Sequence, residues 1–110
     1  MVSPAIDYVI EQANKRYNPS SWNIYAFHCS DGDNWGEDME KTLRSNKVLK
    51  DMCQFYGYCE IVPEDERLRW NNDSQLSNSY AVLADEKFKI GKIHKKDDVW
   101  KVFRSFFKGQ

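Results

Sequence analysis

The chain has 110 residues, of which 41% are hydrophobic and 30% are charged, and its formal net charge is -1. This length allows one domain, residues 1–110, with a single core, and the apolar content excludes a disordered chain. The balanced charge gives no general attraction to nucleic acid or anionic lipid. Because no leader pattern and no bilayer-length apolar run occurs in the sequence, we expect a cytoplasmic protein with no membrane partner.

The first two predicted elements are a helix and a strand. The helix begins at Ser3-Pro4, where serine can cap free N–H groups and proline fits the first turn, and it ends before Asn18-Pro19. Residues 22–29 form a nearly continuous apolar run, which is typical of a strand covered on both faces in a parallel sheet. This run ends at Ser30-Asp31-Gly32-Asp33, and open α/β sheets bind their ligands where strands end in this way.

The second half of the chain predicts alternating helices and strands. Residues 37–56 carry apolar side chains at helical spacing, with Gly57 placed to end the helix. Residues 58–62 predict a strand stopped by Pro63, residues 64–70 a helical turn, and residues 74–85 a helix rather than a hairpin. Residues 88–93 predict an edge strand guarded by lysines. Asp97 caps a last helix, which Trp100 and Phe103 anchor on the sheet.

These elements together predict a three-layer α/β fold with a short, mainly parallel sheet of about three strands flanked by helices. Cys29, Cys53 and Cys59 are odd in number and lack CxxC spacing, so we interpret them as reduced core thiols. No Gly-rich phosphate loop, Ser-His-Asp order or HExxH motif occurs, and we predict that the protein is not an enzyme.

Three groups of polar residues are candidates for chemistry. Asp31 and Asp33 could contribute to a cation site, although Asp-Gly-Asp-Asn also suits a plain turn. His28 cannot act as a base for Cys29, because neighbours in a strand point to opposite faces, and a structural histidine is the better reading. The carboxylates around Pro63 could form a second acidic rim, or a solvated loop; they are Glu60, Glu64, Asp65 and Glu66.

The stretch Trp22-Asn23-Ile24-Tyr25-Ala26-Phe27-His28-Cys29-Ser30-Asp31-Gly32-Asp33-Asn34-Trp35 resembles a segment of the uncharacterised bacterial YeaH/YhbH family, which ends in a von Willebrand factor A-like domain. A second resemblance covers residues 97–107. In such domains a D-x-S-x-S loop, a threonine and a later aspartate hold magnesium. Asp31 matches that aspartate, but D-x-S-x-S is absent from this chain. The resemblance therefore implies the second half of a doubly wound domain, with Asp31 and Asp33 as a vestigial metal site. Magnesium would bind only together with the missing half, and the isolated chain has no cofactor.

The leading functional hypothesis is a non-enzymatic protein-interaction module. The resemblance implies a PrkA-like serine kinase as partner, in stress or sporulation responses. Without the flanking strand, residues 22–29 form an exposed apolar edge with Asn23, Tyr25 and Phe27 as its interaction residues, and this edge predicts a homodimer. The alternative is a small nucleic-acid-binding or regulatory protein using the basic stretch from Lys87 to Lys96, although nucleic acid is the weaker choice. A hydrolase using Asp31, Asp33 and His28 ranks last.

Overall fold

The computed structural model describes residues 1–32, 34, 36–62 and 75–107. It contains four α-helices and three strands in these ranges: α1 (Ser3–Arg16), β1 (Tyr25–Ser30), α2 (Gly36–Met52), β2 (Phe55–Ile61), α3 (Gln75–Tyr80), a 3-10 turn (Ala81–Leu83), β3 (Phe88–Ile93) and α4 (Asp98–Phe106). The predicted helical turn at residues 64–70 and Asp33 lie outside the described residues. No helix of the described part is long and apolar enough to cross a membrane.

The three strands form one parallel sheet in the order β1-β2-β3. Tyr25 pairs with Phe55 at one end of the β1–β2 ladder, and Tyr56 pairs with Phe88 in the β2–β3 ladder. The middle strand β2 is buried along six of its seven residues, whereas β1 alternates between exposed and half-buried positions. The predicted α/β class and the parallel three-stranded sheet are confirmed.

One face of the sheet is covered by α1, α2 and α3. Ile6 of α1, Leu49 of α2 and Leu76 of α3 pack there with the buried rings of Tyr56 and Tyr58. Burying such large side chains supplies the main stabilisation of the fold, at roughly 1.5–3 kcal/mol for each fully buried apolar side chain.

The opposite face packs against α4. Val102 and Phe106 of this helix meet Phe55, Cys59 and Ile93 of the sheet. Phe106 lies directly over Gly57, where an added Cβ would stand 2.7 Å from its ring. Gly91 in β3 provides a similar close approach, since a Cβ there would stand 2.5 Å from Val102. The two glycines therefore leave the space in which α4 is seated.

Several sequence predictions need correction. The helix predicted for residues 37–56 ends at Met52, and Gly57 lies inside β2 instead of ending a helix. Ser3 makes no cap to its own helix, because its hydroxyl donates to Asp38. Asp97 makes no side-chain cap either; Asp98 accepts the N–H groups of His94 and Lys95 instead.

Two further corrections concern burial. Trp100 is 66% exposed and does not anchor α4, whereas Phe106 is 1% exposed. Cys29 is exposed and therefore is not a core thiol, although Cys53 and Cys59 are buried.

Two predicted elements of the second half are confirmed. The helix predicted at residues 74–85 is found from Gln75 to Leu83, and the strand predicted at residues 88–93 has those bounds.

Candidate interaction surface

Strand β1 is an edge of the sheet, with β2 on one side and no described strand on the other. Gln54 donates its N–H to the Ile24 carbonyl at 2.6 Å, so the backbone of Ile24 points toward the β2 side. Because successive residues of a strand direct their backbone groups to opposite sides, those of Asn23, Tyr25 and Phe27 point away from β2. These are the three residues that the sequence predicts for the interaction edge.

The side chains at this edge are apolar and accessible. Tyr25 is 51% exposed and Phe27 is 41% exposed, and Trp22 just before the strand is 56% exposed. Phe27 also belongs to an aromatic cluster beneath α4, since its ring centroid lies 5.1 Å from that of Phe103 and 6.1 Å from that of Phe107. The exposed edge is thus continuous with the packing of α4.

Two apolar grooves lie on this side of the molecule. The first, the α1 groove, has a volume of about 400 Å³ and lies between α1 and the segment that enters β1. The second, the α4 groove, has a volume of about 800 Å³ along the outer side of α4. Tyr25 lines the α1 groove, and Phe103 and Phe107, which contact Phe27, line the α4 groove. The accessible aromatic surface therefore extends from the edge strand into both grooves.

The polar residues predicted for chemistry are not brought together. Asp31 follows β1 and is exposed, while Asp33 is outside the described residues. His28 points to the opposite face from Cys29, and its ring packs against Tyr58 and Tyr80 at 5.1 and 5.9 Å between centroids. Burial lowers the pKa of His28 below its usual value, so the ring is neutral at pH 7. In the described part of the chain no group of three or more His, Cys, Asp or Glu side chains could hold a metal ion.

The acidic and basic stretches are also dispersed. Glu60 does not lie on a rim, because its side chain is 1% exposed and accepts a hydrogen bond from Tyr58 at 3.1 Å. The other carboxylates of the predicted rim, Glu64, Asp65 and Glu66, lie outside the described residues. Side chains alternate between the two faces along a strand. In the basic stretch, Lys89 is an odd-numbered and Lys92 an even-numbered residue of β3, so their side chains point to opposite faces of the sheet. Lys89 and Lys92 therefore do not share one basic surface.

A buried polar network joins the helices beneath the sheet. The Asp38 carboxylate accepts the backbone N–H groups of Val2 and Ser3 at 3.0 and 2.8 Å, the Thr42 hydroxyl at 2.9 Å and the Ser3 hydroxyl. Burial acts to raise the pKa of Asp38, but these hydrogen bonds outweigh it and hold the pKa well below the usual range. Since four donors already occupy the carboxylate, its role is to tie the start of α1 to α2.

The network continues into the core through Asn46. Its amide donates to the Thr42 carbonyl and to the Tyr80 hydroxyl, both at 2.8 Å, and it accepts a hydrogen bond from Tyr56. Burial is the main cause that raises the pKa of the Tyr56 and Tyr80 hydroxyls, which therefore stay protonated. Such satisfied polar groups specify how α2 and α3 pack on the sheet.

Comparison with known proteins identifies the family of this chain. A model of the family described as "Protein of unknown function (DUF444)" matches residues 1–110. The chain belongs to the DUF444 family. No solved structure matches the chain.

Curated relatives of this DUF444 chain include UPF0229 proteins of bacteria. The one from Ruminiclostridium cellulolyticum is 40% identical over 99 residues, which cover 89% of this chain and 24% of the relative. A Pectobacterium carotovorum relative is 34% identical over 112 residues, covering 100% of this chain and 25% of the relative. A Vibrio vulnificus relative is 36% identical over 109 residues, covering 97% and 24%. The chain thus spans about a quarter of the length of these relatives.

Sequence reasoning missed two features of this structure, one in the buried network and one at the edge of the sheet. From its neighbours in the sequence, Asp38 is an ordinary acidic residue in the first turn of a helix. Its hydrogen-bond partner Ser3 is 35 residues away, so a local pattern does not indicate the contact. From the sequence, Phe107 is one more apolar residue of the last helix. In the structure it is 41% exposed, and its ring contacts that of the edge residue Phe27. The one signal in the sequence is that residues 99–107 carry more apolar side chains than the two, Val102 and Phe106, that the sheet face buries.

Proposed function

We propose that this DUF444 chain is a non-enzymatic protein-interaction module that associates through the outer edge of β1, and that its partner in the isolated state is a second copy of the same chain. The observation that carries the proposal is the unpaired edge itself. The outward backbone groups of Tyr25 and Phe27 have no described strand beside them, and both side chains are about half exposed. Edges of this kind are templates for pairing with another strand.

A second copy fits this edge for two reasons. The strand sequence, Tyr25–Ser30, contains no Asp, Glu, Lys or Arg, so two copies running antiparallel place no such like charges opposite each other. A two-fold axis perpendicular to the sheet keeps the two α4 helices on the same face and brings the two Phe27 side chains near each other. The product is a continuous six-stranded sheet, and its interface includes the accessible surface of Trp22, Tyr25 and Phe27.

The finer parts of the proposal come from the resemblance at residues 22–35 and 97–107. They are that the module is the second half of a von Willebrand A-like domain, and that the whole protein works with a PrkA-like serine kinase. The parallel sheet with helices on both faces is compatible with the first part. The second part concerns a partner of the longer relatives, of whose length this chain spans about a quarter.

The oligomeric state tests the proposal. We expect light scattering to give the mass of a dimer at high micromolar concentration. Tyr25→Pro removes an N–H that points away from β2, at the first position of the strand where proline is tolerated, so it should yield a folded monomer. Tyr25→Lys should do the same by placing a charge on the edge.

A matched control is Val82→Lys, because Val82 is 73% exposed and lies in the 3-10 turn before β3. This variant should stay dimeric. The proposal fails if the unaltered chain is monomeric at high micromolar concentration. It also fails if both Tyr25 variants remain folded dimers.

A further inference from the structure

Cys29 and Cys59 stand side by side on neighbouring strands. They are register partners in the β1–β2 ladder, and both are free thiols. Directly paired residues of adjacent strands project their side chains to the same face, which here is the face that packs against α4. The fold thus brings together two of the three cysteines, 30 positions apart in the sequence.

The two thiols differ in their access to solvent. Cys29 is exposed, whereas Cys59 is 0% exposed and packs with Phe55, Val102 and Phe106. Burial, followed by the charge and the hydrogen bond of the neighbouring Cys29 thiol, raises the pKa of Cys59 to about 12. An accessible sulfur therefore lies next to a second sulfur that solvent does not reach while α4 is packed on the sheet.

The backbone spacing suits a bond between them. Adjacent strands lie about 4.7–4.9 Å apart. Disulfide-bonded residues have Cα atoms about 4.4–6.8 Å apart, so the strand spacing is already inside this range. The Cα spacing of the ladder is therefore compatible with a bridge between these register partners.

We propose that Cys29 and Cys59 form a reversible thiol–disulfide site that reacts with small-molecule disulfides. In the first step the Cys29 thiolate attacks one sulfur of the small disulfide, whose S–S bond breaks and releases one thiolate. In the second step the Cys59 sulfur loses its proton and attacks the Cys29 sulfur, which releases the second small thiolate and forms the Cys29–Cys59 bond. The two protons of the cysteines end on the two released thiols, and the small disulfide is reduced.

The order of the steps follows from the burial of Cys59. Because the thiolate is the reacting form and Cys59 is held protonated, the second step is slower than the first. A mixed disulfide on Cys29 should therefore accumulate before the bridge closes. Closure should shift the midpoint of urea denaturation upward, since it links the edge strand to the buried middle strand.

Mass spectrometry of the folded chain exposed to oxidised glutathione tests the site. We expect an early species carrying one glutathione on Cys29, then a species lighter than the reduced chain by two hydrogen atoms, with peptides of Cys29 and Cys59 joined. Dithiothreitol should restore the reduced mass. Cys53→Ser is the matched control, because Cys53 is buried in the cluster on the other face of the sheet, and this variant should still close the bridge.

Variants of the pair separate the steps. Cys59→Ser should stop at the mixed disulfide, and Cys59→Ala serves the same purpose if a buried hydroxyl prevents folding. Cys29→Ser should give neither product under the same conditions. The inference is overturned if Cys53→Ser stops at the mixed disulfide, if the bridge joins Cys53, or if Cys29 links two chains instead of closing within one.

Discussion

The packing of α4 against Gly57 and Gly91 can be tested by adding a methyl group at either glycine. In Gly57→Ala the new methyl carbon would lie 2.7 and 2.9 Å from two atoms of the Phe106 ring and 3.2 Å from Phe27. Carbon atoms pack best at about 3.5–4.0 Å, so the ring must move by about 0.8 Å or more. Phe106 is 1% exposed, so a movement of its ring would press on buried neighbours.

The expected magnitude follows from two opposing effects. Overpacking of a well-packed core costs about 1–3 kcal/mol, and replacing glycine by alanine recovers about 0.4–1 kcal/mol from the unfolded chain. Gly57→Ala should therefore lower the free energy of unfolding by about 1.3 kcal/mol at the middle of both ranges, and by at most about 2.6 kcal/mol. Gly91→Ala should behave similarly, because its methyl carbon would lie 2.5 Å from Val102.

Urea denaturation followed by tryptophan fluorescence and circular dichroism measures this change. Gly36→Ala is the control, since a methyl group there meets no atom within 4 Å, and it should stabilise the chain by about 0.4–1 kcal/mol. Adding Phe106→Leu to Gly57→Ala should cost less than the sum of the two single changes, by at least about 0.5 kcal/mol. If Gly57→Ala is as stabilising as Gly36→Ala, Phe106 does not pack over β2 and this reasoning is wrong.

Three further predictions concern burial, pH and metal binding. Phe106→Ala should cost about 3–5 kcal/mol in urea melts, as truncations of buried aromatic residues do, whereas Trp100→Ala should stay within about 0.5 kcal/mol. Stability should be full above pH 6.5, the usual pKa of histidine, and fall as the pH drops, because the pKa of His28 is lower in the fold than in the unfolded chain. A second decrease should follow below about pH 4, as the unfolded chain takes up the proton that Asp38 resists in the fold. Calorimetric titration should show that this chain binds magnesium no tighter than the millimolar range, because Asp31 alone supplies too few oxygen ligands.

Each of these predictions has an outcome that contradicts it. If Phe106→Ala and Trp100→Ala lower the free energy of unfolding equally, both rings have similar surroundings and the burial prediction is wrong. A urea midpoint that does not change between pH 7 and pH 5, in the unaltered chain and in His28→Gln alike, would remove His28 from the explanation. Micromolar magnesium binding that Asp31→Asn abolishes would show a complete site.

The elements that the sequence predicts well are those with a purely local pattern. Residues 88–93 alternate apolar and polar side chains next to lysines, and β3 has those bounds. The boundary between α2 and β2 was placed four residues too late, because Met52, Cys53 and Tyr56 continue the helical spacing. Tyr56 and Gly57 belong to a strand because they pair with β1 on one side and with β3 on the other, and both partners are about 30 residues away in the sequence.

The position of β1 at an edge of the described sheet could be predicted, but the surroundings of its side chains could not. An apolar run such as residues 22–29 indicates a strand, and the absence of a flanking strand in the sequence indicates an edge. The orientation of α4 is different, because its apolar residues form one broad side opposite Asp98, Lys101 and Arg104, and several small rotations would bury a similar part of that side. Only the space above Gly57 and Gly91 selects Val102 and Phe106 as the inward residues and leaves Trp100 exposed.

The two faces of the sheet are covered unequally, so local unfolding should begin on the face that α4 covers. Three helices pack on one face, whereas among the described elements the other face is contacted by α4, which has nine residues. A helix this short is not stable alone in water, so α4 is helical only while Val102 and Phe106 are seated. Its backbone amides should therefore exchange with deuterium together, at a lower free energy of opening than those of β2. Each such opening would briefly uncover Phe55, Cys59 and Ile93, and the molecule would spend a small fraction of its time with a second apolar face open to any neighbour.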